Sequence, residues 1–165
     1  MSADTNTLSL SPEAEARIDD LQRRYPTKRA TLLPVLWEIQ WEHGWIPPEW
    51  LTYAAERCEV SKAHVLGVVG FYTMFLTEKP GRFHIRVCRN ISCHIMGGAK
   101  IRECLRKRLG IKPGEKTPDE RFSLEEVECM AACSWAPMMA VNETYHENLT
   151  PEKVEEIIKR LEQSP

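Results

Sequence analysis

The 165-residue chain lacks the usual nucleotide cradles: it has no GxGxxG turn after a strand and no GxxxxGK(S/T) loop. Without them, hydride chemistry on a bound nicotinamide is not available to this chain alone. None of its six cysteines forms a CxxC pair, which removes the nucleophile of a thiol oxidoreductase. The longest apolar run, VLGVVGFYTMFL from Val65 to Leu76, is shorter than the roughly 20 residues a bilayer-spanning helix needs, so no membrane span is expected and the run reads as a buried segment. An excess of one charge sign is also missing. With 22 Lys and Arg against 24 Asp and Glu, the formal charge of -2 leaves no electrostatic footprint for nucleic acid or an anionic membrane. Residues 1–20 have neither the basic start nor the apolar stretch of a secretory signal, and their acids disfavour a mitochondrial presequence. A cytoplasmic chain is therefore expected, where cysteines serve metal ligation or redox chemistry more than structural disulfides.

What is present suffices for a packed core: 42% hydrophobic and 28% charged residues are close to the globular averages. After a loose tail over residues 1–11, Ser11-Pro12 gives an N-cap followed by proline at the first helical position, opening a helix over about 12–25. A second helix is expected over 29–43, with Leu33, Trp37 and Trp41 at i, i+4, i+8 and Gly44 as its stop. Pro47-Pro48 opens a third and Ser61 caps a fourth that carries the apolar run. At Glu78-Lys79-Pro80-Gly81 the hydrophobic period changes from 3.6 to 2. Phe83, Ile85 and Val87 alternate with polar neighbours as a strand ending at Cys88. A helix over about 98–109, a strand over 122–128, a hairpin from 138–142 and 144–147, and a closing helix from Thr150-Pro151 complete the pattern. The expected fold is α/β (α+β): a helical bundle over 12–77, then a β-α-β-β-α unit over 78–165.

Two segments carry the chemistry. CRNISCHIMGG, residues 88–98, holds Cys88 and Cys93; ECMAACSWAP, residues 128–137, holds Cys129 and Cys133. Each pair begins where a strand is expected to end, so two loops at one sheet edge are placed to converge. Spacing alone admits three fillings. Two disulfides suit an oxidising compartment that nothing here supports. A structural zinc accepts four thiolates at these separations. A 2Fe-2S cluster takes two thiolates per iron, which two paired loops supply naturally. The plant ferredoxin loop wants a third cysteine just after the CxxxxC start, and His94-Ile95-Met96 has none; a Rieske centre wants two histidines, and only His94 lies beside a site cysteine.

Together with GVVGFYTMF before the first strand and CSWAPMMAVNETYHENLTPEKV after the last pair, these motifs resemble one family over about residues 12–162. It is the thioredoxin-like 2Fe-2S subunit of NADH:quinone oxidoreductase, respiratory complex I; related subunits occur in NAD-linked hydrogenases and formate dehydrogenases. The resemblance implies a thioredoxin-like ferredoxin domain in which Cys88 and Cys93 ligate one iron of a 2Fe-2S cluster and Cys129 and Cys133 the other. It implies an electron-carrying subunit with no substrate site of its own, exchanging single electrons with FMN on a partner flavoprotein subunit that binds NADH. Such a chain would sit on the cytoplasmic side, peripheral to the inner membrane within a larger complex. One departure stands out. The family usually has a glycine between the second pair, where this chain has Met130, Ala131 and Ala132, so a positive φ there would be strained.

Other conspicuous residues have plainer roles. The Trp37, Trp41, Trp45, Trp50 series has helical spacing and is expected in the core. Cys58 and Cys104 fall on apolar helix faces as small hydrophobes. The five histidines show no carboxylate or metal-type spacing, and the basic helix KIRECLRKRLGIK reads as a solvated face. Residues 90–92 and 130–132 are placed either to aim backbone amides at sulfur or simply to close their loops. Pro137 stands where thioredoxin-like folds place a cis proline.

Overall fold

The computed structural model describes residues 8–164 and divides between Lys79 and Pro80 into two units. In the first, Ser11 caps helix α1 (Pro12–Arg24) by accepting from the Ala14 amide, and Glu13, Glu15, Arg23 and Arg24 complement the helix dipole. A 3₁₀ turn, Lys28–Thr31, leads into α2 (Leu32–His43), which Gly44 ends in the left-handed region. Helices α3 (Trp50–Cys58) and α4 (Lys62–Phe71) follow, the latter capped by Ser61. Ile18, Val35, Leu36, Ile39, Ala54 and Val65 are fully buried in one core. At its edge the buried Glu38 carboxylate is held by Arg17 through two hydrogen bonds of 2.9 and 2.7 Å, the partner a buried charge requires.

Four details of this unit differ from expectation. Most of the expected tail, residues 1–7, lies outside the described residues, but its last part is anchored: Leu10 is buried, and the Ser11 amide donates to Glu42 at 2.9 Å. The third helix begins at Trp50 because Ile46 and Pro47 are spent on a buried connection, in which the Ile46 amide donates to Leu76 at 2.8 Å. Helix α4 stops at Phe71, and Leu66 and Phe71 are exposed, so the apolar run is only partly buried. Trp41 is 67% exposed and stacks on Trp37 with ring centroids 5.6 Å apart. At about 100° per residue, the Leu33, Trp37, Trp41 stripe rotates by roughly 80° over its length, while Leu32, Val35, Leu36 and Ile39 keep the seam.

The second unit contains β1 (Phe83–Cys88), a single turn α5 (Ile91–Cys93) running through a π turn (His94–Gly98) into α6 (Ala99–Leu109), then β2 (Phe122–Val127), β3 (Met139–Val141), β4 (Thr144–His146) and α7 (Pro151–Glu162). The sheet order is β2-β1-β3-β4, with β1 parallel to β2 and the other pairs antiparallel. Ile85, Val87, Leu124, Met139 and Val141 pack with Ile101 and Leu105 of α6 and Val154, Ile157 and Ile158 of α7. The polar alternation points the other way and corrects the view of the histidines. His84 meets Ser123 at 2.8 Å and Glu125 at 3.1 Å, a carboxylate 41 residues away that only the β1–β2 register brings close.

The basic helix is not simply solvated. Arg102 and Arg106 face Glu126, Lys107 pairs with Glu103, and Arg108 reaches Glu155 and Glu162 of α7. The Ala136–Pro137 peptide is cis. Among the described residues no helix is long and apolar enough to cross a membrane.

Candidate metal centre

Parallel pairing of β1 and β2 brings both C-terminal ends to the same sheet edge. Cys88, the last residue of β1, lies opposite Val127, and Cys129 follows two residues later. The flanking residues lock this junction: Arg89 donates to the Glu128 carboxylate at 2.9 and 2.6 Å, and the Asn90 side-chain amide donates to the same group at 3.1 Å. These bonds hold the Glu128 carboxyl below the usual carboxylate range.

The first loop turns back at once. The Asn90 side chain accepts from the Ile91 amide at 2.8 Å and its carbonyl accepts from His94 at 2.8 Å, so one helical turn carries Cys93 back toward Cys88. Gly97, at φ 95°, makes the exit into α6. Gly98 packs so closely that a Cβ there would lie 2.6 Å from the Cys93 carbonyl oxygen. The glycine pair closing the motif is thus explained by backbone geometry.

The second loop is held by its own hydrogen bonds. Ala131 adopts φ 65°, its amide donates to Cys129 Sγ at 3.3 Å, and Tyr145 of β4 donates its hydroxyl to the Met130 carbonyl at 3.1 Å. Cys129 Sγ and Cys133 Sγ lie 3.4 Å apart. Cys88 and Cys93, each 2% exposed, share an apolar pocket with Ala132, Ala136 and Met138, whereas Cys129 and Cys133 are exposed.

The electrostatics tie the pairs together. Burial pushes the Cys93 thiol up to about 11, the Cys88 thiol beside it adds to this, a backbone hydrogen bond from Met138 opposes it, and the charge of Cys133 adds again. Cys133 is raised by Cys129 first, lowered by the Ser92 hydroxyl of the first loop, and raised again by Cys88. Each loop therefore feels the thiols of the other. Among the described residues no three His, Cys, Asp or Glu side chains are grouped to hold a metal ion; the four thiols form two pairs, Cys88 beside Cys93 and Cys129 beside Cys133. That donor set, all sulfur and divided between two loops, suits a centre with two metals.

His94 is exposed. Cys58 lies in the helical unit's core against Thr31, and Cys104 on α6 faces the Pro151 carbonyl, so neither joins the centre. Of the amides expected to meet sulfur, that of Ala131 does so, whereas Asn90 caps its own turn. The contributions of Ser92, Tyr145 and the Arg89–Glu128 lock carry no local sequence signal, since each acts across the two loops or from a hairpin register.

Against known proteins, the family model for thioredoxin-like 2Fe-2S ferredoxin matches residues 18–162. The chain is 41% identical over 148 residues to an NADH-quinone oxidoreductase subunit of Aquifex aeolicus, covering 90% of this chain and 92% of that one. It is 40% identical over 146 residues to the namesake of that protein in Rickettsia bellii, covering 87% of each. Among solved structures, the NAD+-reducing NiFe-hydrogenase in its H2-reduced state superimposes with a TM-score of 0.72 over 82% of this chain at 21% identity, a likeness of fold alone. The chain spans 23% of that hydrogenase chain.

Proposed function

The chain belongs to the thioredoxin-like 2Fe-2S ferredoxin family, and from that premise we propose that it is the electron-carrying subunit of an NADH-quinone oxidoreductase, with Cys88, Cys93, Cys129 and Cys133 as the ligands of its cluster. It carries one 2Fe-2S cluster. Bound, that group supplies a one-electron couple whose all-thiolate ligand set keeps the potential low, around -400 mV in plant-type examples. The observation that supports the ligand assignment is that two thiol pairs, one buried and one exposed, follow two parallel strands whose C-terminal ends share one sheet edge.

The protein's own part is to bind, shield and orient. Cys88 and Cys93, packed with Met138 and Ala132, would hold the group from the buried side, while Cys129 and Cys133 would hold it from the surface. Ile91, Ile95, Met96 and Trp135 expose apolar surface on the same two loops, at 70, 73, 61 and 52%. A rim of this kind offers a partner subunit a dry contact beside the exposed sulfurs. The partner is a flavoprotein subunit that would hold FMN and bind NADH, the chemistry that divides a two-electron donor into single electrons; this chain, with no nucleotide cradle, has no substrate site of its own. It is peripheral to the membrane within the assembled complex.

Anaerobic purification followed by iron and acid-labile sulfide analysis tests the assignment. The expected protein is red-brown, holds two irons and two sulfides per chain, and becomes paramagnetic on one-electron reduction. Serine at any of the four proposed ligands should lower cluster content or alter its spectrum, and serine at Cys58 or Cys104 should do neither. A colourless protein holding one zinc would overturn it.

A further inference from the structure

We propose that Tyr145 is a positioning residue for the cluster: its hydroxyl holds the Met130–Ala131 peptide so that the Ala131 N–H points at Cys129 Sγ, and this raises the cluster's reduction potential. The inference rests on the assignment of Cys129 as a ligand.

Two hydrogen bonds carry it, and they meet on one peptide unit. The carbonyl of that unit, on Met130, accepts from Tyr145 at 3.1 Å; its N–H, on Ala131, donates to Cys129 Sγ at 3.3 Å. A trans peptide is planar, with C=O and N–H pointing in opposite directions, so fixing the carbonyl aims the amide. A hydroxyl donating to the carbonyl also polarises the unit and strengthens its N–H as a donor. The loop needs this help. Ala131 sits at φ 65°, a region where its Cβ is disfavoured, and a loop free to relax would leave it and swing the amide off the sulfur.

Tyr145 is well placed to act as a fixed post. It pairs with Ala140 in the β3–β4 ladder, and that hairpin turns at Asn142, itself at φ 52°. The backbone that carries the phenol is thus fixed by the sheet, outside the ligand loop that the half-exposed ring reaches. Reduction adds negative charge to the cluster and its sulfurs, so an aimed N–H stabilises the reduced state more than the oxidised one.

The test is a redox titration of the full-length, cluster-loaded protein, followed by visible absorption and electron paramagnetic resonance. Tyr145→Phe keeps the ring and removes the donor. It is expected to lower the reduced-to-oxidised ratio at a fixed potential about threefold, a downward shift of roughly 30 mV at 59 mV per tenfold for a one-electron couple. Replacing Tyr145 with 3-fluorotyrosine, a stronger donor, should shift the potential upward at a pH where the phenol stays protonated. This second variant decides the matter if the phenylalanine protein fails to retain its cluster. Tyr25→Phe, in the helical unit, should leave the potential unchanged.

A full complement of iron and sulfide with an unmoved potential in both Tyr145 variants would overturn the positioning role while leaving the ligand assignment intact. Cys129→Ser with normal cluster content and spectrum would instead remove the assignment on which it rests.

Discussion

Gly98 shows how one atom can govern the centre. A Cβ at this position would lie 2.6 Å from the carbonyl oxygen and 2.9 Å from the carbonyl carbon of Cys93, backbone atoms that no side-chain rotation can move aside. Gly98→Ala should therefore cost about 1–3 kcal/mol, in the range of overpacking, and should displace the first loop. Urea denaturation would measure the stability loss and iron retention the loosened loop; a variant with wild-type values of both would show that the contact relaxes freely. The GlyGly pair was visible in the sequence beside Cys93, but only the folded loop shows that the first glycine provides a positive φ and the second a close approach. Ala131 is the reverse case. The resemblance marks the missing glycine between Cys129 and Cys133 as a departure, and the structure shows that Ala131 is the residue there with a positive φ, at 65°.

Caps and periodicity made the elements legible. Ser11-Pro12, Ser61 and Thr150-Pro151 each open a helix with a side chain accepting from an amide in its first turn. Boundaries were less legible where packing overrode propensity, as at the buried Ile46–Pro47 connection. The hairpin strand β4 illustrates what burial adds. His146 is pushed below its ordinary value by burial first and by Arg160 second. A group depressed in this way contributes its full stability above the unfolded value of about 6.5, where both states are neutral, and loses it as pH falls through the lower folded value. Stability should thus decline as pH falls below about 6.5, and His146→Gln should flatten that part of the decline. Denaturant midpoints across this range would check it, an unchanged slope counting against the histidine.

Two units, each with its own core, make up the molecule. Ile39 is fully buried in the helical unit, and Ile39→Ala should destabilise that unit by about 2–5 kcal/mol through lost burial and a residual cavity. The cluster's visible absorption, which reports on the second unit, should persist at temperatures where the helical signal of this variant has begun to fall. Coincident loss of both signals on heating would show that the two units melt as one.

The local code settled much of this protein: which segments are helical or extended, where the hydrophobic period changes, and that four cysteines stand in two pairs at the ends of strands. Such features depend on neighbours within a few residues, and their physics is the physics of caps, turns and periodicity. Strand order, the His84–Glu125 contact, the difference in exposure between the two cysteine pairs, and the Tyr145 hold on the second loop came only with the tertiary structure. Each depends on register between segments far apart in the chain, and no local pattern encodes the distance between residues that the sheet makes neighbours.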